Sequence, residues 1–200
     1  VGKTTGARIL AKALQCTGGP AVNPCNECEN CLEITRGTHP DVSEIDGATH
    51  NKVDDIRDIV ETTRYMPSKG RYRIYVVDEV HMVTVSGFNA LLKTLEEPPA
   101  HVVFIFATTD PQKIPDTILS RCQRFDYKMI PARTIIERMR FICDAESVEV
   151  PDGTLAQIAR EAGGSMRDAQ SLLDQLLSFA DGPITDEQAA EILGLVDRSL

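Results

Sequence analysis

Apolar and polar positions divide the chain into two regimes. Up to Tyr127 short apolar runs alternate with helical stripes. The segment after Gly2-Lys3-Thr4-Thr5 carries Ile9, Leu10, Ala13 and Leu14 at helical spacing and predicts a helix with that apolar face. Positions 28–36 also read as helical, Val42 to Ile45 as a short strand, and Val53, Ile56 and Val60 as the stripe of a helix ending before Pro67 and Gly70. Ile74 to Val77 and Val102 to Ala107 are apolar on both faces, which predicts strands inside a parallel sheet. Between them Phe88, Leu91, Leu92 and Leu95 mark an amphipathic helix from Val85 to Glu97, stopped by Pro98-Pro99. A short helix over 115–120 and a strand from Cys122 to Tyr127 complete this part. Strands alternating with helices predict an α/β fold, with a parallel sheet covered on both faces.

From Pro131 the pattern is entirely helical. Ile135, Met139, Ile142 and Cys143 stripe one helix, Leu155, Ile158, Ala159 and Ala162 a second, and Ala169, Leu172, Leu173 and Leu176 a third. A fourth is expected over 185–193. The domain boundary falls near Ile130-Pro131, giving an α/β domain over 1–130 and an all-helical domain over 131–200.

Composition narrows the class. With 42% hydrophobic and 26% charged residues, a chain of 200 residues is globular, with room for one full domain and a smaller one. The longest apolar run is too short to span a bilayer and there is no signal segment, so no membrane partner and a cytoplasmic location are expected. A net charge of −9 argues against a broad basic surface coated by nucleic acid. Any DNA contact must be local or shared with partners. Because the sequence opens at Val1, inside a motif, and ends without a stop signal, it reads as a fragment of a longer protein.

That motif is Gly2-Lys3-Thr4, the last three positions of a phosphate-binding loop, G-x-x-x-x-G-K-[ST]. There a helix N-terminus favours phosphate, the lysine reaches the β- and γ-phosphates, and the hydroxyl ligates magnesium. Asp78 and Glu79 follow the Ile74–Val77 strand, at the carboxyl end where open α/β sheets bind ligands. Together these residues predict a nucleotide triphosphatase core, Asp78 assisting magnesium and Glu79 orienting or deprotonating the attacking water.

Cys16, Cys25, Cys28 and Cys31, spaced C-x₈-C-x₂-C-x₂-C, form a second constellation. Four thiolates satisfy tetrahedral zinc, whereas the bacterial iron–sulfur run requires a cysteine where Thr35 stands. A closed structural zinc site over 16–31 is expected, and Cys122 and Cys143 are expected to pack in cores. Ser165 reads as an N-cap, which places Arg167 in the first turn of a helix, where the helix dipole disfavours a cation unless an anion compensates. Arg121 alone reads as a surface arginine. His39, His50, His81 and His101 fit no ligand pattern and read as structural.

Several stretches together carry a resemblance: Gly2-Lys3-Thr4-Thr5, the four cysteines, Val77-Asp78-Glu79-Val80-His81-Met82, Phe88 to Pro99, Ala107-Thr108-Thr109-Asp110, Ser120-Arg121-Cys122 and Gly164-Ser165-Met166-Arg167-Asp168. They resemble the gamma/tau subunit family of bacterial DNA polymerase III across nearly the whole chain. The resemblance implies an AAA+ module, a RecA-like P-loop nucleotide-binding domain with a zinc-binding insertion, followed by a helical lid. It places Gly2, Lys3, Thr4 and Thr5 in Walker A and Asp78 and Glu79 in Walker B. Thr109 or Thr108 becomes a γ-phosphate sensor, Arg167 the lid sensor, Arg121 an arginine finger acting in trans, and the four cysteines zinc ligands. By the same resemblance the loop's first glycine and the strand before it lie upstream of Val1.

The implied activity is ATP hydrolysis by a clamp-loader motor, without a polymerase active site. The implied cofactors are ATP, Mg2+ and Zn2+. The implied partners are the delta and delta-prime subunits, further gamma/tau copies, the sliding clamp and primer-template DNA. Alternatives are another AAA+ DNA-remodelling ATPase of the replication factor C type, and a non-hydrolysing delta-prime-like assembly subunit.

Overall fold

Three strands pair in parallel in the order β1 (Val42–Asp46), β2 (Arg73–Asp78) and β3 (Val102–Phe106), and helices pack on both faces of the sheet. The computed structural model describes residues 2–179, together with Ala189 and Glu191. Two compact units divide between Phe125 and Asp126.

In the first unit β2 is the central strand. Ile74, Tyr75, Val76 and Val77 are each 3% exposed or less, as expected of an apolar run with a neighbour on either side. Successive side chains leave opposite faces. Ile74 and Val76 pack with Ala7 and Ala11 of α1 (Lys3–Gln15) and Ile34 of α2 (Glu29–Arg36). Val77 packs with Ile56 of α3 (Val53–Thr62), Phe88 and Leu91 of α4 (Val85–Glu96) and Ile118 of α5 (Asp116–Leu119). Helix α4 begins at Thr84, whose hydroxyl accepts the Gly87 N–H at 3.2 Å. The register sets Asp46 opposite Asp78 and Val77 opposite Phe106, so the carboxyl ends of the strands lie side by side.

Two expectations fail in this unit. Helix α1 does not bury an Ile9–Leu10 face; Ile9 is 50% and Leu10 44% exposed, while Ala7, Ala11 and Gln15 are buried and Leu14 packs against them. Small alanines at i, i+4 let the helix axis lie close to β2, and Gln15 satisfies its amide on the backbone of Arg71 and Tyr72, just before the strand. The strand expected over Cys122–Tyr127 does not form. The alternation is there, but Phe125 and Tyr127 are 68% and 51% exposed, and among the described residues no strand lies beyond β3. A strand exists only with a neighbour to accept its ladder.

The second unit is built from α6 (Ala132–Ala145), α7 (Asp152–Glu161) and α8 (Met166–Phe179). Its core contains Ile135, Met139 and Cys143, then Leu155 and Ile158, then Ala169, Leu173 and Leu176, which are the expected stripes. Gly164, at φ +86, turns the chain between α7 and α8, and its carbonyl accepts the Ile130 N–H at 3.0 Å. A Cβ there would stand 2.7 Å from that of Met129. The helix expected over 185–193 lies outside the described residues apart from Ala189 and Glu191. Among the described residues no helix is long and apolar enough to cross a membrane.

Candidate functional site

Helix α1 starts behind Gly2, whose φ of 82 and ψ of 13 are left-handed. Its first turn holds Lys3, Thr4 and Thr5 and no acidic residue, so the free amide N–H groups favour an anion. The turn lies against the carboxyl end of β2. The Thr4 hydroxyl donates to Asp78 Oδ2 at 2.6 Å, and Asp78 Oδ1 accepts the Glu79 N–H at 3.0 Å.

Glu79 leaves the strand in a left-handed conformation, φ 45 and ψ 43. This turns its side chain across the sheet end toward β3. Its Oε2 accepts the Thr109 hydroxyl at 2.8 Å and the Thr109 N–H at 3.2 Å. His81 Nδ1 stands 3.1 Å from the same oxygen and 3.0 Å from the Thr108 hydroxyl. Gly47, after β1, closes the third side, and its N–H donates to the Asp78 carbonyl at 2.8 Å. A Cβ on Gly47 would come within 2.8 Å of the Glu79 carbonyl oxygen, so only glycine fits there.

Thr4, Asp78, Glu79 and Thr109 therefore converge as a chain of contacts, with Lys3 and Thr5 flanking Thr4 on the helix. Set aside in the sequence as structural, His81 belongs to the cluster. The left-handed turn at Glu79 brings it in, and no spacing rule announces that turn. Arg121 does not join these residues. Its guanidinium pairs with Glu96 at 2.6 Å and donates to the Thr117 carbonyl at 2.6 Å. Arg167 occupies the first turn of α8, where the Ser165 hydroxyl accepts the Asp168 N–H at 3.3 Å, the expected N-cap.

The four cysteine sulfurs lie within 4.8 Å of one another. Zn–S bonds of about 2.3 Å place tetrahedral sulfurs roughly 3.8 Å apart, so the set fits one zinc ion with little movement. Two of the four thiols are also biased toward the thiolate that binds zinc. Backbone N–H groups, Thr17's first and then that of Cys31, hold the Cys28 thiol down at about 6, and those of Cys25 and Gly18 lower Cys16. Burial pushes Cys31 up to about 12. Cys28 is the N-cap of α2, one residue outside the helix expected to carry it. Cys143 is fully buried and Cys122 half-buried in apolar clusters, and burial raises both thiols.

The cysteine cluster is tied to the segment that leads into β2. Gln15, 1% exposed, accepts the Arg71 and Tyr72 N–H groups at 2.8 and 3.2 Å and donates to the Tyr72 carbonyl at 2.6 Å. The Arg71 guanidinium donates to the carbonyls of Cys16 and Thr17, both at 3.2 Å.

Residues 1–131 match the family model described as DNA polymerase III, delta subunit, and residues 134–182 that of the DNA polymerase III clamp loader subunit, ATPase lid domain. The chain is 53% identical to DNA polymerase III subunit tau of Bacillus subtilis (strain 168) over 98% of its length and 35% of that protein's. It is 47% identical to subunit tau of Escherichia coli (strain K12) over 98% of its length and 31% of that protein's. The chain belongs to the DNA polymerase III clamp-loader subunit family, on its gamma/tau branch. It spans about a third of the length of these two relatives. The RuvB Holliday junction branch migration motor of Thermotoga maritima shares the fold, with a TM-score of 0.65 at 17% identity over 98% of this chain and 58% of that one. The fold of the chain is AAA+, an α/β unit followed by helices that match the lid-domain model.

Proposed function

We propose that the chain binds ATP with magnesium and hydrolyses it, as a motor subunit of a bacterial clamp loader. The observation that carries this reading is the convergence of Thr4, Asp78, Glu79 and Thr109 at one end of the sheet. A phosphate-loop hydroxyl lies beside a strand-end carboxylate, and a second carboxylate lies beside a hydroxyl on the neighbouring strand end. Lys3 and the amide groups of the first turn of α1 hold the phosphates. Thr4 and Asp78 would hold the magnesium, which would supply charge neutralisation at the phosphates. Glu79 orients the attacking water and takes its proton, and Thr109 reads the γ-phosphate.

Arg167 contacts nucleotide from the lid. Arg121 acts on nucleotide held by the adjacent subunit, and its exposed pair with Glu96 is weak enough to exchange for a phosphate. Cys16, Cys25, Cys28 and Cys31 hold a structural zinc. In this reading the partners are delta, delta-prime and further gamma/tau subunits, the sliding clamp and primer-template DNA, and the location is cytoplasmic. ATP binding sets the assembly to open the clamp, and hydrolysis releases it closed on DNA.

The delta-subunit description of the first family model favours a second reading, an assembly subunit that does not turn over ATP. The complete set Lys3, Thr4, Asp78 and Glu79 favours hydrolysis. The deciding experiment is Lys3→Ala in the full-length subunit, reconstituted with its partners. ATPase and clamp loading disappear while assembly persists if the site works as proposed. Unchanged turnover in that variant overturns it.

A further inference from the structure

We infer that His81 is a positioning residue for hydrolysis, constraining the Glu79 carboxylate through its Nδ1 edge, which lies 3.1 Å from Oε2. The inference rests on the reading of Glu79 as the group that takes the proton from water.

The turn after β2 is built to bring His81 back over Glu79. Residues 80–82 form a single 3-10 turn in which the Met82 N–H donates to the Glu79 carbonyl at 2.9 Å. Val80 is 1% exposed, and its N–H donates to the Ala107 carbonyl at 3.0 Å, which fixes the turn to the end of β3. The His81 side chain is 11% exposed, so its ring position is set by packing as well as by its bonds.

Hydrogen accounting assigns the ring nitrogen. The Thr108 hydroxyl, which accepts the Asp110 N–H at 3.0 Å, can either donate to or accept from Nδ1, so the carboxylate decides, because an ionised Glu79 can only accept. A bare Nδ1 would set its lone pair against a carboxylate oxygen 3.1 Å away. A hydrogen on Nδ1 removes that conflict, bonding the Thr108 hydroxyl at 3.0 Å and lying beside Oε2 as a favourable electrostatic contact. Oε2 then receives two hydrogen bonds, from the Thr109 hydroxyl and the Thr109 N–H, with His81 Nδ1 3.1 Å away as a third polar contact. Among the described residues none donates to Oε1.

A carboxylate tethered through one oxygen and unengaged at the other suits a general base. The tethered oxygen fixes its direction, and the other takes the proton. Both Thr109 bonds come from one residue of one strand end. His81 approaches from a different element, so it supplies the constraint on carboxylate rotation that Thr109 alone does not. Residues that aim a reacting group change the chemical step rather than ground-state binding.

The test uses the full-length subunit in its reconstituted assembly, with steady-state ATP hydrolysis and direct nucleotide binding measured on Glu79→Gln, His81→Phe, His81→Asn and His81→Gln. Glu79→Gln is expected to abolish hydrolysis. His81→Phe should lower kcat by about 10–100-fold, with KM and nucleotide Kd within about twofold of wild type. The amide nitrogen of His81→Asn can stand where Nδ1 stands and should restore most of kcat, whereas His81→Gln, which reaches to the Nε2 position, should not. Wild-type or faster hydrolysis in His81→Phe overturns the inference. So does equal activity of the Asn and Gln variants, a contrast that stands even if His81→Phe fails to fold. Full hydrolysis in Glu79→Gln would instead overturn the underlying assignment of Glu79.

Discussion

The Thr4 hydroxyl donates to Asp78 Oδ2 at 2.6 Å, joining two residues 74 positions apart and the two halves of the proposed magnesium site. Thr4→Val keeps the shape and removes the donor. It is expected to cost about 1–2 kcal/mol of stability, since a partly buried carboxylate loses a charge-assisted partner. Nucleotide binding in the variant should lose its dependence on magnesium, and Thr4→Ser should regain it. Thermal unfolding and magnesium titrations of nucleotide affinity check both.

Cys28→Ser should leave the protein with less than one zinc per chain by elemental analysis and lower its melting temperature, because a four-thiolate site stabilises the fold directly. Chelator should unfold the cysteine module of the wild type and have little further effect on the variant.

Asp41, 1% exposed, anchors the approach to β2. Burial alone would raise its pKa, but the N–H groups of Gly70, Ser68 and Lys69 and the Ser68 hydroxyl outweigh it, so the net shift is downward. A carboxylate with a depressed folded pKa stabilises above its unfolded value, about 3.9, and the contribution is lost as pH falls through the folded value. Asp41→Asn should therefore destabilise by about 1–3 kcal/mol at neutral pH, and the gap to wild type should close below about pH 4. Denaturant unfolding at pH 7 and pH 3 measures it.

Arg121→Ala should leave nucleotide binding intact and slow hydrolysis in the assembled complex by about 10³–10⁵, the range for a finger supplied in trans. The isolated subunit's basal turnover should not change. Single-turnover assays with and without partner subunits separate the two.

Most of the scaffold was legible in the sequence. The Phe88–Leu95 stripe, the β2 run and the three lid stripes bury their own apolar face, so spacing alone located them. The places of Lys3 and Thr4 at a helix start and of Asp78 and Glu79 at a strand end were legible because the apolar stripe of one element and the apolar run of the other delimit those ends. Features decided by a distant neighbour were not. The face of α1 depends on how close two alanines and Gln15 let it approach β2, and the 122–127 segment lacks a partner strand among the described residues. The place of His81 follows from one left-handed residue before it. The grip of Arg71 on the Cys16 and Thr17 carbonyls joins loops far apart in sequence.

Helix α1 and strand β2 run side by side over about 20 Å and are fastened at both corners. Thr4 meets Asp78 at one corner; Gln15 meets Arg71 and Tyr72 at the other. Cys16 follows Gln15 directly, so the cysteine module grips the far end of the rod whose near end faces the phosphates. Without the sulfur corner, the Thr4–Asp78 bond would be left to hold Lys3 and Thr4 in place. The cysteine module thereby anchors the far end of the helix on which the nucleotide would rest.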